Sequence, residues 1–161
     1  MNSERQIRRP QAGQALLELA LLLPLFLLLI MGMVDLGRYM YVYILVSNAA
    51  RAGAGYGAQS LAQSGDTTGI AAAAQADYAN SGGVSTLSVR SAFSCVCDTS
   101  GTLSTQACIS TEATACKAAA GNWIVTLAVT TSGSYNAVFG LPGIPSPITV
   151  TNTATMTVAP I

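Results

Sequence analysis

The sequence contains no histidine and few charged residues. Without histidine, Ser-His-Asp and Cys-His nucleophilic sites are excluded, as are zinc, copper and haem sites that need a histidine ligand. Only 9% of the 161 residues are charged, against about a quarter in ordinary soluble domains. Seven basic and seven acidic residues balance, which argues against an electrostatic nucleic-acid binder. Aromatic residues make up 6%, so a core must consist of aliphatic residues and alanine.

Much of the apolar excess lies in one segment near the N-terminus. Residues 15–34 contain a single charged residue, Glu18. A helix of about 20 apolar residues can cross the hydrocarbon core of a bilayer. A cleavable secretory signal has a shorter apolar region of about 7–15 residues and a small-x-small site after it, which this sequence lacks. Because Arg5, Arg8 and Arg9 precede the segment, the positive-inside rule predicts a cytoplasmic N-terminus and an outer C-terminal part.

A carboxylate stands close to the boundary between the basic and the apolar residues. Glu18 is the fifth residue after Gly13. Acidic residues inside membrane helices are costly, and they are candidates for a function. If the chain is cut after Gly13, Gln14 supplies a free α-amino group, and the i, i+4 spacing places the carboxylate one helical turn away. Glu18 can pair with this amine or with that of a neighbouring chain; alternatively, it is an interfacial acid without a role.

A basic leader ending in glycine, followed by an apolar helix whose fifth residue is glutamate, resembles a type IV prepilin processing site. Residues 8–58 resemble more narrowly a TadE-like protein, a family of minor pilins or pseudopilins of the bacterial tight-adherence (Flp) pilus machinery. Residues 147–158 loosely resemble the usual last strand of that family. The matching pieces are the Gly13-Gln-Ala-Leu-Leu-Glu18 junction, Leu-Pro-Leu at 23–25, the Asp35-x-Gly37-Arg38 turn and Asn48-Ala-Ala-Arg51-x-Gly53.

This resemblance implies a precursor in the bacterial inner membrane with its C-terminal domain in the periplasm. A prepilin peptidase would cut it between Gly13 and Gln14 on the cytoplasmic side. The product would assemble with other pilin or pseudopilin subunits, with Glu18 pairing with an N-terminal amine, and could enter the extracellular pilus. Two alternatives are a type II secretion pseudopilin, which usually has phenylalanine where this chain has Gln14, and an uncleaved single-pass protein whose outer domain binds a ligand or partner.

Catalytic motifs are lacking in the sequence. The acidic residues after Gly13 are scattered, and there is no phosphate-binding loop, dinucleotide fingerprint or nucleophile elbow. The sequence therefore predicts a structural protein rather than an enzyme, without a cofactor, a metal or a small-molecule substrate.

The helical pattern continues beyond the apolar segment, from residue 14 to residue 52. At 1.5 Å per residue this helix is about 58 Å long, so roughly half of it projects beyond a bilayer core of about 30 Å. Pro24 removes one backbone hydrogen bond, which predicts a kink or local melting. Asp35 and Arg38 are spaced as a surface ion pair on the projecting part.

Alternating glycines at positions 53, 55 and 57 are expected to end this helix. They close the third of four predicted regions. The regions are a leader (1–13), a transmembrane helix (14–34), a projecting helix with its glycine-rich end (35–58) and an extracytoplasmic domain (59–161).

The outer domain is predicted to contain one helix and three strands. Residues 67–79 are rich in alanine and indicate a short helix. Apolar and polar residues alternate around 87–93, 123–130 and 148–158, which is typical of half-buried strands, and the prolines of 140–147 indicate a loop. The predicted fold class is α+β and pilin-like: a long N-terminal helix packed on a small antiparallel sheet.

Four cysteines fall between the first two predicted strands, at Cys95, Cys97, Cys108 and Cys116. Zinc modules usually separate paired cysteines by two to four residues, whereas seven separate the second pair here. An oxidising environment outside the cytoplasmic membrane favours two disulfides over a tetrathiolate zinc site or free thiols. Of the three possible connectivities, the preferred one nests Cys97–Cys108 inside Cys95–Cys116, because both bridges then close one loop.

Overall fold

The computed structural model describes residues 12–80, 86–139 and 146–158. Most of the predicted leader and most of the predicted 140–147 loop lie outside these ranges. The elements of the described residues are α1 (Ala12–Gly57), α2 (Leu61–Ser64), α3 (Thr67–Asn80), β1 (Ser88–Thr99), β2 (Thr102–Gln106), α4 (Ser110–Ala118), β3 (Asn122–Tyr135) and β4 (Ile148–Thr157).

α1 is one continuous helix of 46 residues and is longer than predicted. Its helical assignment is unbroken at Pro24, so the local melting predicted there is wrong, and a kink stays a prediction. The Asp35-x-Gly37-Arg38 segment is helical too, and its description as a turn is wrong. The long apolar helix therefore continues directly into the part that packs on α3 and the sheet.

α1 continues past residue 52, so the expected end there is wrong, although the helix does end at Gly57, the last of the three predicted glycines. A Cβ on Gly53 would lie 3.2 Å from the carbonyl oxygen of Ile70 and 3.2 Å from Cγ1 of Val129. A Cβ on Gly57 would overlap the side chain of Leu127. Gly53 lies inside the helix and Gly57 is its last residue. Both glycines allow α3 and the sheet to approach the helix backbone closely.

The four strands form one antiparallel sheet in the order β2-β1-β3-β4. α1 packs against β3, β4 and α3, which confirms the predicted α+β arrangement. Along β3 the buried positions alternate with partly exposed ones, as the period of two predicts. The sequence did not indicate α2, β2 or α4, and β1 continues to Thr99, beyond its predicted end.

The core consists of two adjoining clusters between the helices and the sheet. One surrounds Val46 of α1 and includes Tyr135, and the other surrounds Ile70 of α3 and Leu127 of β3. The Thr131 hydroxyl, buried on the same face of β3, donates a hydrogen bond of 2.8 Å to the Val46 carbonyl oxygen. This bond satisfies a polar group that would otherwise be buried without a partner.

Candidate functional site

The apolar segment of α1 is exposed along most of its length. Residues 13–30 are all exposed, whereas Val46, Ala49 and Ala50, further along the same helix, are buried. A core helix of a soluble protein would be covered at its most apolar part, and here that part is uncovered. By length and composition, this one helix could span a membrane.

The predicted cleavage junction lies at the exposed beginning of α1. Gly13, Gln14 and Glu18 are helical and exposed, and positions 14 and 18 are one turn apart on the same face. A Cβ on Gly13 would meet no atom within 4 Å. Because the fold places no steric demand on Gly13, a requirement for glycine here would have to come from another protein.

Asp35, the first charged residue after the apolar segment, joins α1 to the end of β3. The N–H of Val138 and the hydroxyl of Tyr135 donate to its Oδ1 at 2.9 and 3.0 Å, and the N–H of Phe139 donates to Oδ2 at 3.3 Å. The Val138 N–H contributes most to lowering the pKa of Asp35, with further contributions from Tyr135 and Phe139. Burial, followed by the bond to Asp35, raises the pKa of Tyr135.

Sequence reasoning missed this contact. The i, i+3 spacing assigned Asp35 to Arg38, and the field of Arg38 is the smallest of the influences that lower the pKa of Asp35. The groups that donate to Asp35 lie about a hundred residues further along the chain. The only available signal was the position of a lone carboxylate at the end of the apolar segment.

A groove of about 330 Å³ lies beside Asp35, between α1 and the sheet. Its lining is mostly apolar, apart from the Asp35 carboxylate and two tyrosines. The lining residues are Gly32, Asp35, Leu36, Tyr39, Tyr135, Ala137 and Ile148.

A second carboxylate, Asp66, holds the start of α3 against the end of α1. Its Oδ1 accepts the N–H of Gly69 at 2.9 Å, and its Oδ2 accepts the Tyr56 hydroxyl at 2.9 Å. The first of these bonds is the main cause of the lowered pKa of Asp66. This arrangement is a helix N-cap linked to the preceding helix, and we assign it a structural role.

The cysteines form two disulfides, but the preferred nested pairing is wrong. Cys95 pairs with Cys108, and Cys97 pairs with Cys116. Since all four thiols are used, none is left for the tetrathiolate zinc alternative. Among the residues that the structure describes, there is also no other cluster of three metal-ligating side chains.

The unpredicted strand β2 explains this pairing. In the β1–β2 hairpin Cys95 lies opposite Gln106, so Cys108 follows close by. Trp123 of β3 lies opposite Cys97, and the chain that leads from α4 into β3 therefore carries Cys116 to Cys97. Because β2 and β3 both run antiparallel to β1, they bring Cys108 to Cys95 and Cys116 to Cys97.

The exposed apolar helix, its buried continuation and the four-stranded sheet define an α+β protein with a candidate membrane span. Residues 13–55 match the family model described as TadE-like protein, which confirms the resemblance predicted from the sequence. The match to this family model spans 43 of the 161 residues. It covers nearly all of α1 and none of the sheet. Neither the curated proteins nor the solved structures gave a significant match to the chain.

Proposed function

We propose that this chain is a minor pilin or pseudopilin that contributes to assembly of a tight-adherence pilus after a prepilin peptidase cuts it between Gly13 and Gln14. The observation that carries this proposal is the TadE-like match, which begins at Gly13 and follows α1 from its exposed apolar part into its buried outer part. The proposed role is structural and not catalytic. α1 anchors the subunit in the membrane before assembly, and the outer domain provides contacts to other subunits.

The proposed location is the bacterial inner membrane, with the N-terminus in the cytoplasm and the sheet domain in the periplasm. Arg5, Arg8 and Arg9 support this orientation through the positive-inside rule. Processing would let the subunit move from the membrane into the extracellular pilus. The partners would be the prepilin peptidase and other pilin or pseudopilin subunits.

Glu18 has the role of an assembly residue in this proposal. Cleavage creates a cation at Gln14, and the exposed carboxylate of Glu18 can neutralise it within one chain or between neighbouring chains. Charge pairs gain strength where water is excluded, as in a bundle of apolar helices.

Replacing Gly13 with leucine is expected to abolish processing, because the larger side chain obstructs the peptidase while nothing in the fold contacts it. The measurement is the intact mass of the membrane-extracted protein, with N-terminal sequencing. Wild-type chains should begin at Gln14, and the variant should retain its leader.

Gly37→Leu provides the matched control. It introduces the same side chain at another position of α1 where a Cβ would meet no atom within 4 Å, and it should be processed like the wild type. Normal processing of the Gly13→Leu variant would refute the cleavage assignment. A wild-type chain that keeps its leader in the native host would instead favour the uncleaved single-pass protein.

Glu18→Gln is expected to leave processing intact and to reduce co-purification with other pilin subunits about tenfold or more, since it removes a charge-assisted hydrogen bond. Subunits captured from detergent-solubilised membranes would be quantified by mass spectrometry. Glu112→Gln, the same change in α4 of the outer domain, should have no effect. Equal capture by both variants would contradict the assembly role of Glu18.

A further inference from the structure

We infer that the segment directly after β3 is a second membrane contact, in which the side chains of Val138 and Phe139 insert into the outer leaflet of the bilayer that α1 crosses. This inference rests on the proposed membrane span of residues 14–34. Its partner is a lipid surface, and the contact would fix the height of the outer domain above the membrane.

The position of the segment follows from its hydrogen bonds to α1. The N–H groups of Val138 and Phe139 both donate to the carboxylate of Asp35, at 2.9 and 3.3 Å. Helical side chains tilt toward the N-terminus of their helix, which here is the membrane end. The segment is therefore held at the level where the apolar part of α1 ends, on its membrane side.

The chemistry of the segment suits lipid better than water. Val138 and Phe139 are 49% and 42% exposed although both are apolar. The sequence carries no charged residue after Lys117, so neither this segment nor the strands β3 and β4 contribute a charge that would oppose approach to hydrocarbon. Apolar side chains of this kind anchor peripheral elements at the boundary between headgroups and acyl chains.

Asp35 is the charged residue nearest to this contact. Its hydrogen bonds to the protein compensate for partial loss of water at the membrane surface. The carboxylate already accepts bonds from two backbone N–H groups and the Tyr135 hydroxyl. Dehydration costs less free energy for a carboxylate whose oxygens already accept hydrogen bonds from the protein than for an unpaired carboxylate. Arg38 lies one turn further from the membrane, at the level of the headgroups.

The groove beside Asp35 extends the apolar surface from α1 to this segment. Gly32 and Leu36 line it on the helix side, and Ala137 and Ile148 line it on the sheet side. A Cβ on Gly32 would meet no atom within 4 Å, so the groove is open there. Because this surface is continuous with the spanning helix, the bilayer itself supplies its occupant, an acyl chain of the outer leaflet.

The test uses the full chain in phosphatidylcholine–phosphatidylglycerol vesicles that contain brominated lipid as a fluorescence quencher. Trp123, the single tryptophan, is first changed to phenylalanine. Single tryptophans then replace Phe139, Met33 near the outer end of the span, or Leu103, which is 68% exposed on β2. Phe139→Trp is expected to lose at least half as much fluorescence as Met33→Trp, and Leu103→Trp should lose almost none.

The three positions separate the possible failures. If Met33→Trp is quenched and Phe139→Trp behaves like Leu103→Trp, the membrane contact is refuted while the span stands. If Met33→Trp is not quenched, the span itself fails, and with it both the proposed function and this inference.

Discussion

Replacing Gly57 with alanine is expected to lower the free energy of unfolding by about 1–3 kcal/mol, although alanine is the better helix former. The added Cβ would overlap the side chain of Leu127 and lie 3.0 Å from Cδ1 of Ile70. Both neighbours are fully buried, so neither can turn away without displacing other core residues. The overpacking should therefore outweigh the gain in helix propensity.

Gly55→Ala is the matched control on the same helix. A Cβ at this position would meet no atom within 4 Å, so the change should raise the free energy of unfolding by about 0.5–1 kcal/mol. Both variants would be unfolded with urea as full chains in detergent micelles. Trp123 fluorescence reports the transition, because this side chain packs against the cluster that contains Leu127. Shifts of equal size and sign would contradict the assigned role of Gly57.

Removing the Cys97–Cys116 disulfide by changing both residues to serine is expected to release α4 from the sheet. Cys116 is the one buried residue of α4, so the helix has little else to hold it. The bridge closes a sequence separation of 19 residues, for which chain entropy predicts about 3 kcal/mol. Cleavage by trypsin after Lys117, an exposed residue of α4, should become about a hundredfold faster, as this free energy corresponds to two powers of ten.

The other disulfide provides the comparison for this experiment. Cys95→Ser with Cys108→Ser should lower global stability by a similar amount, about 3 kcal/mol, because it opens a loop of comparable size. It leaves the Cys116 anchor in place, so cleavage after Lys117 should accelerate much less. The fragments would be identified by mass spectrometry before unfolding becomes appreciable. If trypsin cuts both double variants after Lys117 at the same rate, the assigned anchoring role is wrong.

Local patterns in the sequence determined the elements with a strong period. The apolar segment before residue 35 predicted a long helix, since its length and lack of charge suit a bilayer crossing. Strict alternation predicted β3 and β4, because the two faces of a half-buried strand differ in their exposure to water. β2 and α4 have no such signal: both are short, largely exposed and polar, so neither has a buried face to impose a period.

Within the candidate site, the sequence indicated Gly13, Gln14 and Glu18 because their spacing along one helix is a local property. Only the tertiary structure decided which distant groups meet. Asp35 bonds to Tyr135 and Val138 rather than to Arg38, since the sheet returns to the helix at that level.

The roles of the α1 glycines and the pairing of the cysteines were likewise decided by contacts between distant parts of the chain. Glycine is needed at position 57 because Leu127 packs directly against it, and the disulfide pairs follow from the return of β2 and β3 along β1. Periodicity reports how each residue is exposed to water, which is a local quantity. Pairing depends on which surfaces the folded chain brings into contact, and that is a property of the whole packing.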